Sequence, residues 1–445
     1  MSTSTDQPAA DAAGLEPVAA AAGGQAAPAA APGVPLPGTP SAPTGAVPPA
    51  GRELVDAAHV LLGDTAGEVL AAAAAAAGRT VVEWSVHDVH ARPGAETSVG
   101  YATVLDDGSG AYLVASTWVP PEPTSGVATL RHGGTAVSVW AHPDDPRLPA
   151  LRTACTPELL ETVLRAHGDE AVVERLDVVG YRPLRRAVAR ALTSDGERWA
   201  KALRPEVAEG LVARLAMLRA AGVTVPETVA HEPGLVVLGR AAGRPVTEHL
   251  LDGAAPDPEA LVELLRRLPA AALELPGRPA VADRVRAYAH QLVERLPAVA
   301  APAALVVDAV DRLTAEQLGP LVVTHGDLHP ANLWWDPEVA APADLGLIDV
   351  DTLGPGLLVD DLATLVAHVT VLPGLDPGYR AAPVWRDLCL AAFDRVVDPL
   401  ALRARAAAVA LSLAAGQLDE RLALRWAQQA YDLVQAPTLG PTDPA

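Results

Sequence analysis

One stretch in the C-terminal third of the chain gathers side chains that can do chemistry. It reads Thr324-His325-Gly326-Asp327-Leu328-His329-Pro330-Ala331-Asn332, and Ile348-Asp349-Val350-Asp351 follows. The apolar run 321–323 predicts a buried strand before it, and two further strands are predicted at 333–335 and 345–350. A carboxylate, an amide and a second carboxylate are thereby carried on loops and strand ends. Such oxygen ligands are the ones that Mg²⁺ takes, with phosphates and water completing its shell.

The order and spacing of these residues predict phosphoryl transfer. Asn332 lies five residues after Asp327, and Asp349 lies seventeen residues after Asn332. A catalytic-loop Asp, an Asn five residues later and a metal-binding Asp on the next hairpin form the kinase arrangement. The sequence therefore predicts a kinase.

The motifs H-G-D-L-H-P-A-N, I-D-V-D and D-D-L-A resemble those of the aminoglycoside phosphotransferase and choline-kinase-like family of small-molecule kinases. The resemblance covers about residues 177–435, with its core in 324–365. It implies use of ATP and Mg²⁺ and a small-molecule hydroxyl as phosphate acceptor, such as that of an aminoglycoside, an amino alcohol or a sugar.

The same resemblance assigns roles to individual residues. Asp327 orients the acceptor hydroxyl and takes its proton, and Asn332 and Asp349 hold Mg²⁺. His325 and Asp361 brace the loop. Asp327 and His325 together form the predicted catalytic set. Asp351 is expected to be a structural acceptor or an outer-sphere ligand.

A single lysine supports the kinase prediction independently. Lys201 is the only lysine among the 33 basic residues of the chain. It follows the turn at 194–196 and precedes a helix opened by Pro205, which is where the kinase fold places the lysine that reaches the nucleotide phosphates. A compact ammonium on a mobile stem is not replaced everywhere by a planar guanidinium.

The nucleotide site is less well defined by the sequence. Glu209, with Glu206 behind it, is the candidate acidic partner of Lys201. No glycine-rich phosphate loop occurs between Tyr181 and Lys201, although the arginines of 182–186 can supply positive charge. In the family that the chain resembles, the strand before 243–246 leads into the hinge between the two lobes, and the backbone of that hinge binds adenine. Val237 and Leu238 are therefore predicted to contact the nucleotide.

Composition narrows the classes of partner and compartment. The net charge is -21, which argues against nucleic acid and anionic membranes as partners. Two cysteines give no disulfide framework, and the N-terminus lacks the positive start of a signal peptide. These features favour a cytoplasmic protein.

The pattern of strands and helices predicts an α+β protein of the two-lobed, protein-kinase-like class. A small antiparallel β lobe precedes a larger helical lobe, and an extra β-rich N-terminal cap domain precedes both. The predicted segments are a disordered tail (1–50), the cap (51–176), the small lobe (177–240), the large lobe (241–435) and a final tail (436–445). Hairpins at 92–117 and 182–204 resemble each other and suggest an internal repeat.

Alternative interpretations remain open. His325, Asp327 and His329 alternate as zinc ligands on a strand would, which suggests a metal hydrolase. Four cap histidines suggest a second metal site, namely His87, His90, His132 and His142. A kinase-like regulatory module with little transfer activity and a maltokinase-like sugar kinase are further alternatives.

Overall fold

The computed structural model describes residues 16–17, 60–63, 65–91, 96–132, 135–341 and 345–435. The predicted tails therefore lie outside the described residues, except for Glu16–Pro17 (β1), which pairs with 130–131. The described chain forms a β-rich N-terminal part, a second sheet and a helical C-terminal part. This architecture confirms the predicted fold class.

The first sheet belongs to the cap. Its helix is Thr65–Ala76 (α1), and its strands are Val81–Ala91 (β2), Thr97–Leu105 (β3), Gly110–Ser116 (β4), Val127–His132 (β5) and Thr135–Ala141 (β6). All neighbouring strands are antiparallel, in the order β1-β5-β6-β4-β3-β2. Two helices, Leu151–Ala154 (α2) and Pro157–Ala166 (α3), lead to the second sheet, and Pro157 opens α3 as predicted.

The second sheet forms the small lobe. Its elements are Val173–Arg182 (β7), Arg186–Thr193 (β8), Gly196–Leu203 (β9), Pro205–Ala220 (α4), Thr228–Glu232 (β10) and Leu235–Gly239 (β11). The strand order is β10-β11-β9-β8-β7. The predicted boundary between 176 and 177 falls inside β7.

Both sheets follow one connectivity. In each, a three-stranded meander is extended by a hairpin whose second strand pairs with the third strand of the meander, giving β2-β3-β4-β6-β5 and β7-β8-β9-β11-β10. Helix α4 has no described counterpart after β4, where 117–126 contains no helix. The strand order thus agrees with the predicted internal repeat at the level of topology.

The two sheets share a hydrophobic core. Alternate residues of β4 point to opposite faces, as a strand requires. Leu113 and Ala115 belong to the core against α1, whereas Tyr112 and Val114 join Trp140 in a core that includes the inner face of β7 to β11. The cap therefore packs directly on the small lobe.

The large lobe is mainly helical. Its helices are Val246–Leu251 (α5), Pro258–Arg266 (α6), Val285–Arg295 (α7), Ala300–Asp311 (α8), Ala315–Leu318 (α9), Leu358–Leu375 (α10), Ala382–Phe393 (α11), Pro399–Gly416 (α12) and Glu420–Gln435 (α13). Short strands frame the predicted motif, namely Arg244–Pro245 (β12), Leu321–Thr324 (β13), Leu333–Trp335 (β14), Leu345–Leu347 (β15) and Gly354–Leu357 (β16). Short 3-10 helices lie at Ala270–Glu274, Ala282–Arg284, Pro297–Val299 and Val350–Thr352.

Helices α10 and α12 are long and apolar enough to cross a membrane by length and composition. Most of each is buried inside the protein, 61% and 72% of the respective 18-residue windows. Helix α12 also carries the buried Arg403, which pairs with Asp394 at 2.6 Å, and the buried Arg405, which pairs with Asp360. The two helices thus form the core of the large lobe.

Candidate functional site

The catalytic-loop candidate follows β13 and is fixed by helix α10. Asp361, in the first turn of α10, accepts the backbone N–H of His325 at 2.7 Å and that of Gly326 at 2.8 Å. Gly326 has a φ of +79°, and an added Cβ would meet the Thr352 carbonyl oxygen at 2.8 Å. Burial raises the pKa of Asp361 to about 7, although these two N–H donors act against the rise.

His325 is a bracing residue in the structure. Its ring is fully buried, its Nε2–H donates to the Ile348 carbonyl at 2.9 Å, and its Nδ1 accepts the Asp327 N–H at 3.3 Å. Burial lowers the pKa of His325, which keeps the ring neutral as both bonds require. The prediction that His325 belongs to the catalytic set needs correction, because both ring nitrogens bond to backbone.

This arrangement also removes the basis for a zinc site. Among the described residues no group of three or more His, Cys, Asp or Glu side chains is placed to hold a metal ion. His329 instead stacks on His368 of α10, with ring centroids 4.9 Å apart. The cap histidines show no such group either, within the described residues, and the His132 side chain lies outside them.

Asn332 and Asp349 lie beside the loop. Asn332 is buried, and its Nδ2–H donates to the Asp327 carbonyl at 3.0 Å. The strand predicted over 345–350 ends at Leu347, because Asp349 adopts a left-handed backbone (φ +54°) and a 3-10 turn follows at once. Such strain in a non-glycine residue is typical of functional sites.

Lys201 of the small lobe contacts Asp349 of the large lobe. The lysine lies on β9, the third strand of the second sheet, as predicted, and its Nζ is 2.7 Å from Asp349 Oδ1 and 3.7 Å from Asp351 Oδ2. Burial raises the pKa of Asp349, but the Lys201 charge and hydrogen bond outweigh it and bring the value to about 2. Burial also raises the pKa of neighbouring Asp351.

Two arginines of the β7–β8 turn complete the cationic side. Arg186 Nη1 lies 3.8 Å from Asp349 Oδ2 and 3.7 Å from Asp351 Oδ2. Burial and Arg186 lower the pKa of Arg182, while Asp349 and Asp327 act in the opposite direction. Lys201 and Arg186 of the small lobe therefore contact carboxylates of the large lobe, and Arg182 is the direct strand partner of Arg186.

The predicted partner Glu209 does not reach Lys201. Glu209 is exposed on α4, whose buried side consists of Ala208, Leu211, Leu215 and Leu218. Lys201 forms its ion pairs with Asp349 and Asp351, and the pair of Glu206 is with Arg204. The prediction was wrong because helical spacing gives a face of α4 but not the direction of that face in the fold.

Val237 and Leu238, the predicted nucleotide contacts, lie in the middle of the second sheet. Both lie in β11, which pairs in register with β9 on one side and with β10 on the other. Their backbone groups are used by the sheet, so contact with a nucleotide would have to come from their side chains, and that contact stays a prediction. The connection to the large lobe begins beyond Gly239.

Several residues of the site were not singled out by the sequence. Thr352 donates its hydroxyl to the His325 carbonyl at 2.8 Å, and His368 stacks beneath His329. A lone histidine on an apolar helix was the available signal for His368. Asp351, by contrast, was singled out as a structural acceptor or outer-sphere ligand, and its Oδ1 is buried without a hydrogen-bond partner among the described residues.

Comparison with known families identifies a match over the same region. The sequence model of the Phosphotransferase enzyme family matches residues 163–395, which is just over half of the chain. The comparison with curated proteins gives no match.

Solved structures with similar folds share little sequence with the chain. Choline kinase LicA from Streptococcus pneumoniae is 15% identical, with a TM-score of 0.41 over 62% of this chain and 98% of that chain. An ethanolamine kinase of Plasmodium vivax is 11% identical, with a TM-score of 0.38 over 59% and 82%. A putative fructosamine-3-kinase from Thermobifida fusca is 16% identical, with a TM-score of 0.38 over 64% and 99%.

Proposed function

The chain belongs to the Phosphotransferase enzyme family, and from this premise we propose that it is an ATP- and Mg²⁺-dependent kinase that phosphorylates a hydroxyl of a small molecule. The family membership confirms the prediction of a phosphotransferase. The acceptor class follows the sequence resemblance: an aminoglycoside, an amino alcohol or a sugar.

One observation carries the proposal. The only lysine of the chain meets Asp349 at 2.7 Å although 148 residues separate them. An ammonium facing a carboxylate and an Asp–Asn loop across a cleft is the charge distribution that a metal–triphosphate requires. The ion pair joins the cationic residues of the small lobe to the carboxylates of the large lobe. With a nucleotide bound, Lys201 would bind phosphate oxygens and Asp349 would bind the metal ion.

The donor set fits Mg²⁺. One or two carboxylates plus substrate phosphates suffice for this ion, so a cage of three protein carboxylates is unnecessary. Asp349 and Asn332 would hold it, and the unpartnered Asp351 Oδ1 offers a further oxygen. When bound, Mg²⁺ neutralises charge on the phosphate oxygens.

The chain's own residues supply positioning and proton transfer. Asp327 orients the acceptor hydroxyl and accepts its proton, while Lys201 and Arg186 hold phosphate oxygens. His325 and Asp361 fix the backbone that carries Asp327. Catalysis here is mainly alignment and charge stabilisation, which is what phosphoryl transfer needs.

The experiment is an acceptor screen with the purified full chain. Aminoglycosides, amino alcohols and sugars, maltose included, are offered with ATP and Mg²⁺, and acceptor-dependent ADP release is measured. We expect Asp327→Asn to lower kcat by about 10²- to 10⁴-fold while nucleotide affinity stays unchanged. ATP binding with no acceptor-dependent turnover, and no effect of Asp327→Asn, would favour a regulatory nucleotide-binding module instead.

A further inference from the structure

The turn between β7 and β8 has an unusual backbone. It contains Pro183-Leu184-Arg185 and no glycine, yet Leu184 has a φ of +63°. Leu184 and Asp349 are the two non-glycine residues with positive φ among the described residues, and both flank the candidate site. A left-handed leucine is unfavourable and persists only where its surroundings hold it.

A carboxylate from the cap supplies that restraint. Asp145, which follows β6, accepts the Leu184 N–H at 2.7 Å and the Tyr181 hydroxyl at 2.7 Å through one oxygen. Its other oxygen accepts the Arg147 N–H at 2.9 Å. Asp145 is only 4% exposed, and Trp140 Nε1–H donates to the Tyr181 oxygen at 3.1 Å.

The restrained turn carries two groups of the site. Arg182 and Arg186 are paired in register at the two ends of the turn. Arg186 Nη1 lies 3.8 Å from Asp349 Oδ2 and 3.7 Å from Asp351 Oδ2. Directly paired residues of an antiparallel hairpin carry their side chains on the same face, so Arg182 lies on the face of Arg186. A guanidinium is a planar fork, so its use on a phosphate depends on the orientation of the backbone that carries it.

We propose that Asp145 is a positioning residue through which the cap locks the β7–β8 turn, so that Arg182 and Arg186 form a preorganised phosphate clamp. The clamp takes the place of a flexible glycine-rich loop. The inference rests on the proposed kinase function. It assigns the cap a part in nucleotide binding although Asp145 itself touches no nucleotide.

Asp145→Asn tests the inference with Asp144→Asn as its matched control. Asp144 precedes Asp145 and binds Arg152, at 2.6 Å between Asp144 Oδ2 and Arg152 Nη2, away from the turn. We expect Asp145→Asn to weaken binding of Mg-ATP and Mg-ADP by about 10- to 100-fold. Binding of adenosine, which has no phosphate, should change little in the same variant.

Comparing the two variants separates a role of Asp145 in positioning the turn from a role in stability alone. Asp144→Asn should lower the melting temperature without changing the ATP-to-adenosine preference. Equal preferences in wild type, Asp144→Asn and Asp145→Asn would overturn the clamp, and so would an equal loss of ATP and adenosine affinity in a folded Asp145→Asn protein.

A milder variant covers the case in which Asp145→Asn does not fold. Tyr181→Phe removes one donor to Asp145 and keeps the ring in the shared core. It should raise the KM for ATP, with a smaller effect on kcat and on adenosine affinity, and an unchanged KM would contradict the inference. A wild-type chain that binds no nucleotide would instead refute the proposed function itself.

Discussion

The contact between Lys201 and Asp349 shows how a buried charge pair can be kept for function. The two side chains are 12% and 26% exposed, so their attraction is only partly screened by water. Asp351 adds a second carboxylate within 3.7 Å of the same ammonium. Removing the lysine therefore leaves two neighbouring carboxylates without their main counter-charge.

This arrangement predicts the effect of Lys201→Met. The variant should lose at least about 100-fold in kcat/KM for ATP, since a preorganised charge on the phosphates is removed. ADP release at varied ATP concentration measures it. Lys201→Arg should restore little, because a planar fork does not replace a compact ammonium.

Arg198→Met is the matched control for that variant. Arg198 lies on the same strand, and its Nε binds Asp169 at 2.7 Å, away from the candidate site. We expect lower stability with unchanged kcat/KM. If Arg198→Met and Lys201→Met had equal effects on kcat/KM, Lys201 would have no specific role.

Functional residues can be predicted from the sequence when their spacing along the chain is itself characteristic of a reaction. Asp327 follows β13, Asn332 immediately precedes β14 and Asp349 follows β15, so the β14–β15 hairpin brings 332 and 348–349 side by side, with the Ile348 N–H donating to the Asn332 carbonyl at 3.0 Å. Lys201 stands out as a lone residue type. Glu209 could not be assigned in the same way. Its position on the exposed side of α4 is decided by tertiary packing, and the helix instead contributes Arg214, whose Nε–H donates to the Leu353 carbonyl at 3.2 Å.

At the scale of elements, the site is held where helix α10 begins. Asp361 in its first turn accepts two successive backbone N–H groups of the loop, and the Thr352 hydroxyl donates to the His325 carbonyl. The loop is thus determined by an element that follows it in the chain. Its rigidity depends on a buried carboxyl and on one glycine.

The buried carboxyl predicts a pH dependence of stability. The pKa of Asp361 is about 7 in the folded protein against an ordinary value of 3.8, so the folded state holds the proton more tightly and unfolding releases it. The contribution of this group is therefore fully present below about pH 4 and is lost as pH rises toward 7. Its slope approaches about -1.4 kcal/mol per pH unit.

Asp361→Asn should abolish that contribution. Denaturant unfolding of both proteins from pH 4 to 8 measures the difference between their free energies of unfolding, which cancels the titration of all other groups. The wild type should lose stability relative to the variant across this window. A constant difference would mean that Asp361 titrates alike in the folded and unfolded states.

Gly326 predicts a second effect at this scale. An alanine would be strained by the positive φ and would also press its Cβ against the Thr352 carbonyl, so the loop must shift. We expect Gly326→Ala to lower the melting temperature and to reduce kcat more than the KM for ATP. A melting temperature and a kcat both equal to those of the wild type would contradict this.

Gly319→Ala separates strain from displacement. Gly319 has a φ of +77°, but nothing lies within 4 Å of an added Cβ. Its ψ of −174° places it in a region that essentially only glycine occupies, so this variant should cost about 1–3 kcal/mol in stability and leave kcat unchanged. An equal fall in kcat for both variants would show that the loss arises from general destabilisation.

Elements were predicted better than their connections. Alternating strands, the hairpin turns and the helices of the large lobe follow from periodicity and capping. The early end of β15, by contrast, comes from the left-handed Asp349, and no propensity predicts a strained aspartate. The bond from Asp145 to Leu184 joins a segment after β6 to the β7–β8 turn, 39 residues further along the chain, so local pattern contains no signal for it.

At the scale of the whole molecule, cap and small lobe are joined by one core. Trp140 of the cap is 1% exposed, lies in the cluster that includes β7 to β11, and donates its Nε1–H to Tyr181. The proposed domain division therefore separates segments that bury the same side chains. We propose that they unfold as one cooperative unit.

Trp140→Ala tests whether the cap and the small lobe unfold together. Truncating a buried tryptophan should cost about 3–5 kcal/mol. If one core serves both sheets, native-state hydrogen exchange will show lost protection in β7, β8 and β9 as well as in the cap strands.

Val99→Ala is the control, because Val99 is buried against α1 on the opposite face of the cap sheet. It should reduce protection mainly in the cap, by a smaller amount. Loss confined to the cap in Trp140→Ala would mean that the two sheets are independent domains, and a cap acting through Asp145 would then lack its rigid support.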